Sequence, residues 1–184
     1  MAEIESFEFT DRKGRKILIR NASPDDAAKI IEMKTGIVME LDFMLKEPDE
    51  IDYTQADEKE RISDSLNHAH DLYIVAESGA EIIGQLNFDT GSLKRTKHCG
   101  MFTVRVTKEF RNSGTGKILI NTLLDHAEKD PAVEKVALNA FSTNKRALKL
   151  YEDCGFTREG YCPKDMKLSD GTYIDSVLMY KFVK

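Results

Sequence analysis

The stretch Val104–Ala127, VRVTKEFRNSGTGKILINTLLDHA, joins an alternating apolar strand to a helix through a glycine loop. The strand ends near Val106, and apolar residues then recur at helical spacing, at Leu119, Leu123 and Ala127. Between them, Arg111-x-x-Gly114-x-Gly116 predicts a tight turn, because glycine tolerates positive φ and lets a ligand approach the backbone. Such a joint directs N–H groups and the positive end of a helix dipole to one point, which suits a phosphate group.

The loop matches neither of two well-known nucleotide motifs. The Walker pattern would require glycine at Arg111 and a hydroxyl residue at Ile118. The dinucleotide pattern G-x-G-x-x-G can begin at Gly114 but then meets Leu119 at its last position. Strand–glycine–helix joints also occur where nothing binds, so the loop alone leaves open whether it is only a turn.

Composition restricts the class of protein. With 184 residues, 41% hydrophobic and 32% charged, residues 1–184 are expected to form a single domain with a substantial core. The net charge of −5 argues against a nucleic-acid partner, which would require clustered Lys and Arg. No signal-peptide pattern or bilayer-length apolar run is present, so we expect a cytoplasmic protein without a membrane partner.

The cysteines and histidines do not predict a metal centre. Cys99, Cys154 and Cys162 form no C-x-x-C pair, and an odd number leaves one thiol unpaired in any disulfide scheme. The histidines lack neighbouring ligands at zinc-site spacing. We therefore expect reduced thiols and no metal.

Periodicity predicts an α/β (α+β) fold with a single mixed, mostly antiparallel, twisted sheet of about seven strands and flanking helices. The strands are expected at 16–20, 72–76, 81–88, 98–106, 133–140, 156–168 and 173–183. Helices are expected at 24–34, at 54–68, after the glycine loop and from Asn144, with a shorter helix and a loop within 36–53. Because a helix separates them, the strands at 98–106 and 133–140 are predicted to be parallel neighbours.

The helix that begins at Asn144 has one apolar face, formed by Ala147, Leu150, Tyr151 and Cys154. Gly155 fits the left-handed residue beyond the helix end, and Phe156 then contacts Tyr151 as in a Schellman motif. Tyr151 is therefore expected to point inward. By themselves, these positions favour a core tyrosine at 151 and an ordinary helix cap at Asn144.

The order of these elements resembles the GCN5-related N-acetyltransferases (GNAT). The specific part is HCGMFTVRV, the loop Arg111-x-x-Gly114-x-Gly116, and Asn144-x-x-Ala147-x-x-x-Tyr151-x-x-x-Gly155-Phe156. The C-terminal segment, including 170–179, is similar to that of ribosomal-protein N-terminal acetyltransferases. The resemblance implies a fold with acetyl-CoA bound between two splayed parallel strands.

The resemblance also implies roles for individual residues. Backbone groups of Val104 and Val106 would pair with the pantetheine arm, and the Val104 amide would polarise the thioester carbonyl as an oxyanion donor. Tyr151 would face the leaving sulfur. The remaining cofactor-binding positions would be Arg111, Asn112, Ser113, Gly114, Thr115, Gly116, Lys117 and Asn144.

One position departs from the family pattern. Met101 occupies the place where many members carry a glutamate, so the base that accepts the proton of the amine is not identified. Glu40 and Asp42 are candidates for the acceptor site, because the segment between the first helices usually forms its wall in this family. The six carboxylates of the acidic stretch 40–52 would favour a cationic acceptor.

The leading hypothesis is therefore an acetyl-CoA-dependent N-acetyltransferase that acts by direct attack in a ternary complex. The acceptor would be a primary amine, namely a protein N-terminus, a lysine, a polyamine-like compound or an aminoglycoside-like compound. The alternative is a non-catalytic acyl-CoA-binding or sensing module on the same fold. Under either hypothesis, the protein is expected to be a monomer or a homodimer.

Overall fold

The computed structural model describes residues 3–40 and 43–184 of the chain. The strands are β1 (Phe7–Thr10), β2 (Lys16–Asn21), β3 (Leu72–Ser78), β4 (Glu81–Thr90), β5 (Cys99–Val106), β6 (Lys135–Phe141), β7 (Thr157–Lys167) and β8 (Tyr173–Phe182). The helices are α1 (Ala27–Glu40), α2 (Gln55–Asn67), α3 (Thr115–Lys129) and α4 (Lys145–Asp153). Short 3-10 turns lie at Pro24–Asp26, Pro48–Glu50 and Lys108–Phe110.

All eight strands belong to one sheet with the order β1-β2-β3-β4-β5-β6-β8-β7. Its neighbours pair antiparallel except β5 and β6, which are parallel. The expected mixed, mostly antiparallel sheet and its parallel pair are thus confirmed. The sheet has one strand more than the seven expected, because the N-terminal FEFT segment pairs with β2 as a short edge strand.

Helix α1 is longer than predicted and replaces the separate short helix expected within 36–53. It continues through Gly36 to Glu40, and the described part of that stretch beyond it contains only the Pro48–Glu50 turn. Ile37 and Val38 are each 3% exposed and extend the buried face of the helix. Burying two such side chains outweighs the cost of about 1 kcal/mol for glycine in a helix.

The helices cover both faces of the sheet. On one face, α3 and α4 contribute Leu119, Leu123 and Tyr151 to a core that also contains Phe102 of β5. On the other face, Ile30 of α1 and Ile62 of α2 pack against Tyr73 and Val75 of β3. In the described ranges, none of the helices has the length and apolarity needed to cross a bilayer.

The entry to α1 is fixed by a buried carboxylate. Asp26 accepts two hydrogen bonds from the Arg20 guanidinium, at 2.7 and 2.9 Å, and one from the Ser23 amide at 2.8 Å. Burial by itself raises the pKa of Asp26, but the bonds from Arg20 and Ser23 hold that pKa below its ordinary value. The charged form of Asp26 therefore stabilises the fold.

We expect Asp26→Asn to lower the free energy of unfolding by about 1–3 kcal/mol at neutral pH, because it weakens charge-assisted hydrogen bonds. Since the folded-state pKa is depressed, this stabilisation is present above the unfolded pKa of about 3.9 and is lost as pH falls through the folded value. Urea unfolding at several pH values measures it. Asp25→Asn is the matched control and should stay within about 0.5 kcal/mol of wild type. A difference between Asp26→Asn and wild type that persists unchanged at the lowest pH would contradict this account.

Candidate active site

A cleft opens where β5 and β6 separate. The two strands pair at only three positions, which end at Met101 and Ala137, although each strand continues beyond them. The cleft has a volume of about 520 Å³ and is lined by both strands, the glycine loop and α4. Strand divergence therefore produces a groove with an open backbone edge on each side.

The backbone of Val104 faces this groove. The amide of Thr107 donates to Ile83 of β4 at 2.9 Å, so the odd-numbered residues of β5 direct their backbone groups towards β4. Val104 and Val106 consequently direct theirs towards the gap. The Val106 carbonyl accepts a hydrogen bond from Arg111 Nε at 3.0 Å. Val104 lies beyond the last β5–β6 pair and keeps its N–H and C=O groups available to a ligand.

The glycine loop presents amides at one end of the cleft. Asn112 and Gly114 have φ values of 58° and 103°, and Gly114 is the residue from which α3 begins. The amides of the first helical positions, Thr115, Gly116 and Lys117, have no partner within the helix. Gly114, Gly116 and Lys117 all line the cleft, so this helix end is placed to meet an anion.

Ser113 and Thr115, two of the predicted binding residues in the glycine loop, have side chains that stabilise the loop itself. The Ser113 hydroxyl donates to the Phe110 carbonyl at 2.7 Å and hydrogen-bonds the Thr115 hydroxyl at 2.8 Å. Ser113 and Thr115 are 1% and 0% exposed. Only their backbone groups can reach a ligand, while their hydroxyls fix the shape of the loop.

Cationic side chains from the glycine loop, α4 and the N-terminal segment line the cleft: Arg12, Arg111, Lys117, Arg146 and Lys149. Arg111 pairs with Glu40 at 3.2 Å. Burial, and then the charge of Arg111, lowers the pKa of Arg146. Sequence reasoning missed Arg12, Arg146 and Lys149. The first turn of a helix normally favours acidic residues, so Lys145 and Arg146 at the start of α4 were an available sign of an anionic ligand.

Helix α4 brings Tyr151 and Asn144 to the cleft. The predicted Schellman motif is present: Gly155 has φ 86°, its amide donates to Glu152, and the Phe156 amide donates to the Tyr151 carbonyl at 3.0 Å. The Tyr151 ring packs against Phe102 and Phe156, with centroids 5.9 and 6.2 Å away. Its hydroxyl makes no hydrogen bond to the described residues, and Tyr151 lines the cleft.

Burial raises the pKa of Tyr151 to about 12. The residue is 9% exposed, so it is part of the core and of the cleft wall at the same time. Asn144 Oδ1 caps α4 by accepting from the Ala147 amide at 3.2 Å, and Asn144 also lines the cleft. Tyr151 is therefore a core residue and Asn144 is a helix cap, as anticipated, and both also line the cleft.

The described carboxylates of the acidic stretch 40–52 do not line the cleft. Glu40 pairs with Arg111, near the loop, and Asp42 lies outside the described residues. The carboxylates of Glu47, Glu50 and Asp52 contact Ser169, the Glu47 amide and Lys46. The lining residues from this region are instead apolar: Ile37, Phe43, Met44 and Leu45.

Comparison with known proteins identifies the family. The model of the "Acetyltransferase (GNAT) family" matches residues 38–156, which is more than half of the chain and includes β5, the glycine loop and α4. The chain belongs to the GNAT acetyltransferase family. Acetyl-CoA is the cosubstrate of this family of N-acetyltransferases.

Two curated relatives show how this GNAT protein compares in sequence. An L-amino acid N-acetyltransferase of Escherichia coli is 27% identical over 58% of the chain, and the match spans 65% of that relative's length. A spermidine N(1)-acetyltransferase of Vibrio cholerae is 26% identical over 76% of the chain and 78% of its own length.

A solved structure supports the fold. A Salmonella typhimurium protein, solved with its cofactor acetyl-CoA, superimposes with a TM-score of 0.81 at 18% identity. The superposition covers 91% of this chain and 94% of that one. At this identity the likeness concerns the GNAT fold alone.

We expect Gly116→Ala to weaken acetyl-CoA binding about tenfold or more, because a Cβ at 116 would lie 3.2 Å from Leu150 Cδ2 in the wall of the cleft. Titration calorimetry measures the affinity. Gly36→Ala is the matched control, since a Cβ there meets nothing within 4 Å, and it should leave affinity unchanged. Unchanged affinity in a folded Gly116→Ala protein would show that the ligand does not contact this turn.

Proposed function

We propose that this protein transfers acetyl from acetyl-CoA to a primary amine by direct attack in a ternary complex. One observation carries the proposal: the open backbone of Val104, the amides of the glycine loop and the Tyr151 hydroxyl all border one cleft. A thioester needs a hydrogen-bond donor at its carbonyl oxygen and another at its sulfur. The cleft offers both beside a site for phosphates.

The described residues fit acetyl-CoA along its length. The amides at the start of α3, with Arg111, Lys117 and Arg146, provide donors and positive charge for the phosphate groups. Val104 and Asn139 border the gap between β5 and β6, where an extended amide chain can pair as an added strand. Asn144 keeps its amide nitrogen for the ligand, because its oxygen caps α4.

In the reaction, the amine nitrogen bonds to the thioester carbonyl carbon and the carbon–sulfur bond breaks. Negative charge develops on the carbonyl oxygen, and the Val104 N–H donates a hydrogen bond to it. Such a preorganised donor is worth about 3 kcal/mol of barrier. The acetyl group ends in the product amide. The proton that the amine nitrogen loses balances the proton that the CoA thiol gains.

Tyr151 acts as a hydrogen-bond donor to the departing sulfur. A thiol has a pKa of about 8.5, so complete proton transfer from a phenol whose pKa is about 12 would be uphill by roughly 5 kcal/mol. A hydrogen bond that strengthens as charge builds on sulfur requires no such transfer. The final proton of the thiol then comes from solvent.

The described cleft wall contains no obvious base for the amine. Met101 is 50% exposed and takes the place of the carboxylate found in many family members. Asp153 is the only carboxylate among the described lining residues, and it pairs with Lys149 at 2.6 Å. We infer that the amine is deprotonated through solvent before it attacks.

The alternative of a non-catalytic acyl-CoA-binding module shares the same cleft. The Tyr151 hydroxyl, which has no partner among the described residues, supports the enzyme, because a binding module has no need of a donor at the sulfur. Thiol release from acetyl-CoA in the presence of an amine separates the two, since a sensor would bind acetyl-CoA without turnover.

We expect Tyr151→Phe to lower kcat at least tenfold while changing the free energy of unfolding little, because the ring stays packed and only the hydroxyl is removed. A tenfold loss corresponds to about 1.4 kcal/mol of barrier. Tyr161→Phe, which removes an exposed hydroxyl outside the cleft lining, should leave kcat unchanged. If both variants turn over an identified acceptor like wild type, Tyr151 serves only the core.

We expect kcat/KM to rise about tenfold per pH unit below the pKa of the acceptor amine, because only the free base attacks. The midpoint should follow the acceptor, near 7.7–8.0 for a peptide α-amino group and near 10.4 for a lysine-like amine. Thiol release measured with one acceptor of each kind tests this. A common midpoint for both would reveal a protein base instead.

A further inference from the structure

The two faces of β5 offer different chemistry to the cleft. Phe102 belongs to the face that packs against Tyr151 and α4, beside the glycine loop. Side chains alternate along a strand, so Thr103 and Arg105 point to the opposite face, the one covered by α1 and α2. Both line the cleft. Arg105 therefore borders the cleft on the face of the sheet opposite to Phe102 and the glycine loop.

Arg105 is poorly satisfied for a guanidinium. Its only hydrogen bond to the described chain runs from Nη1 to the Thr103 hydroxyl, at 3.3 Å. Its Nε is buried and has no partner. Burial lowers the pKa of Arg105. The guanidinium of Arg105 is partly buried, its Nε is unpartnered and it has no counterion in the described chain, an arrangement that favours an anion from outside the chain.

Glu58, a carboxylate whose charge raises the pKa of Arg105, is already engaged. Glu58 accepts from the Tyr73 hydroxyl through Oε1 and from Lys34 through Oε2, each at 2.5 Å. Glu58 belongs to α2 and is 6% exposed. It contributes to the electrostatic environment of Arg105 but forms no ion pair with it.

Three other arginines in the described chain have carboxylates of their own. Arg20 pairs with Asp26 and Glu77, and Arg15 pairs with Asp11. Arg111, whose side chain lies at the phosphate end, pairs with Glu40. Arg105 differs from these because it lines the cleft and has no carboxylate partner among the described residues.

We propose that Arg105 binds a carboxylate carried by the acceptor, so that the preferred acceptors are amines that also bear a carboxylate, such as L-amino acids. This inference rests on the proposed acetyl transfer and specifies its acceptor. The planar guanidinium matches a carboxylate through two parallel hydrogen bonds. The apolar wall of Ile37, Phe43, Met44 and Leu45 supplies a surface for an aliphatic side chain.

The charge of the cleft agrees with an anionic acceptor. Its described lining contains one carboxylate, Asp153, which Lys149 neutralises. A polyamine would bring positive charge beside Arg105 and find no free carboxylate in the described wall. The acceptor chemistry inferred from the structure is therefore opposite to the cationic preference expected from the acidic stretch.

The test measures kcat/KM by thiol release from acetyl-CoA with a panel of L-amino acids, each paired with its α-carboxamide, and with spermidine. Rates are compared per concentration of free base, because the amines differ in pKa. In wild type the carboxylates should exceed their amides at least tenfold. Arg105→Gln should lower kcat/KM for the carboxylates about 10- to 100-fold and leave the amides unchanged, as expected for loss of a charged hydrogen bond.

Controls separate this role from a structural one. Arg105→Lys should recover part of the preference, because the charge returns without the planar fork. Arg61→Gln removes a cation from α2 outside the cleft lining and should not alter the preference. Calorimetry should show an unchanged acetyl-CoA affinity in Arg105→Gln, and urea unfolding should show a folded protein.

Each other outcome has a defined meaning. Turnover of spermidine or the amides at rates equal to the carboxylates would overturn the role of Arg105 but leave the proposed acetyl transfer intact. Equal losses for carboxylates and amides in Arg105→Gln would likewise overturn it. If no amine in the panel releases thiol although acetyl-CoA binds, the proposed acetyl transfer fails, and the inference fails with it.

Discussion

The divergence of β5 and β6 after three residue pairs is the constraint on which the site depends. Two parallel strands that stop pairing leave backbone N–H and C=O groups without partners, and unpaired backbone groups are costly when buried. The gap is tolerated because it forms an open cleft, in which water or a ligand can satisfy these groups. The crossover helix α3, which connects β5 to β6, begins at the mouth of this gap. The same connection therefore creates the groove and places a helix N-terminus beside it.

Charge in the molecule is distributed unevenly around this groove. The chain carries a net charge of −5, yet its described cleft lining contains six cationic side chains and one carboxylate. The cations are Arg12, Arg105, Arg111, Lys117, Arg146 and Lys149. Converging positive charge in a concave site raises the local concentration of anionic ligands. The overall composition thus gave no indication of the electrostatics at the site.

The face of the sheet under α1 and α2 is held by polar as well as apolar contacts. Lys34, Glu58 and Tyr73 form a buried network, and Gln85 Oε1 lies 3.1 Å from the Tyr73 hydroxyl. Removing one member of such a network leaves the others unpaired in a low-dielectric interior. This network holds polar side chains in place on the face of the sheet that α1 and α2 cover. Thr103 and Arg105 of β5 lie on the same face and line the cleft.

The sequence by itself determined the parts of this protein that depend on neighbouring residues. The strand–glycine–helix joint at Gly114, the Schellman motif at Gly155 and the apolar face of α4 follow from local sterics and periodicity, and the structure contains all three. The order of these motifs also identified the family. Tertiary structure decided what depends on distant segments: the added edge strand β1, the extension of α1 past Gly36 and the separation of β5 from β6. It also decided that the carboxylate of Glu47 contacts the distant Ser169 while Arg105 lines the cleft, because charge pairing is set by which side chains the packed elements bring together.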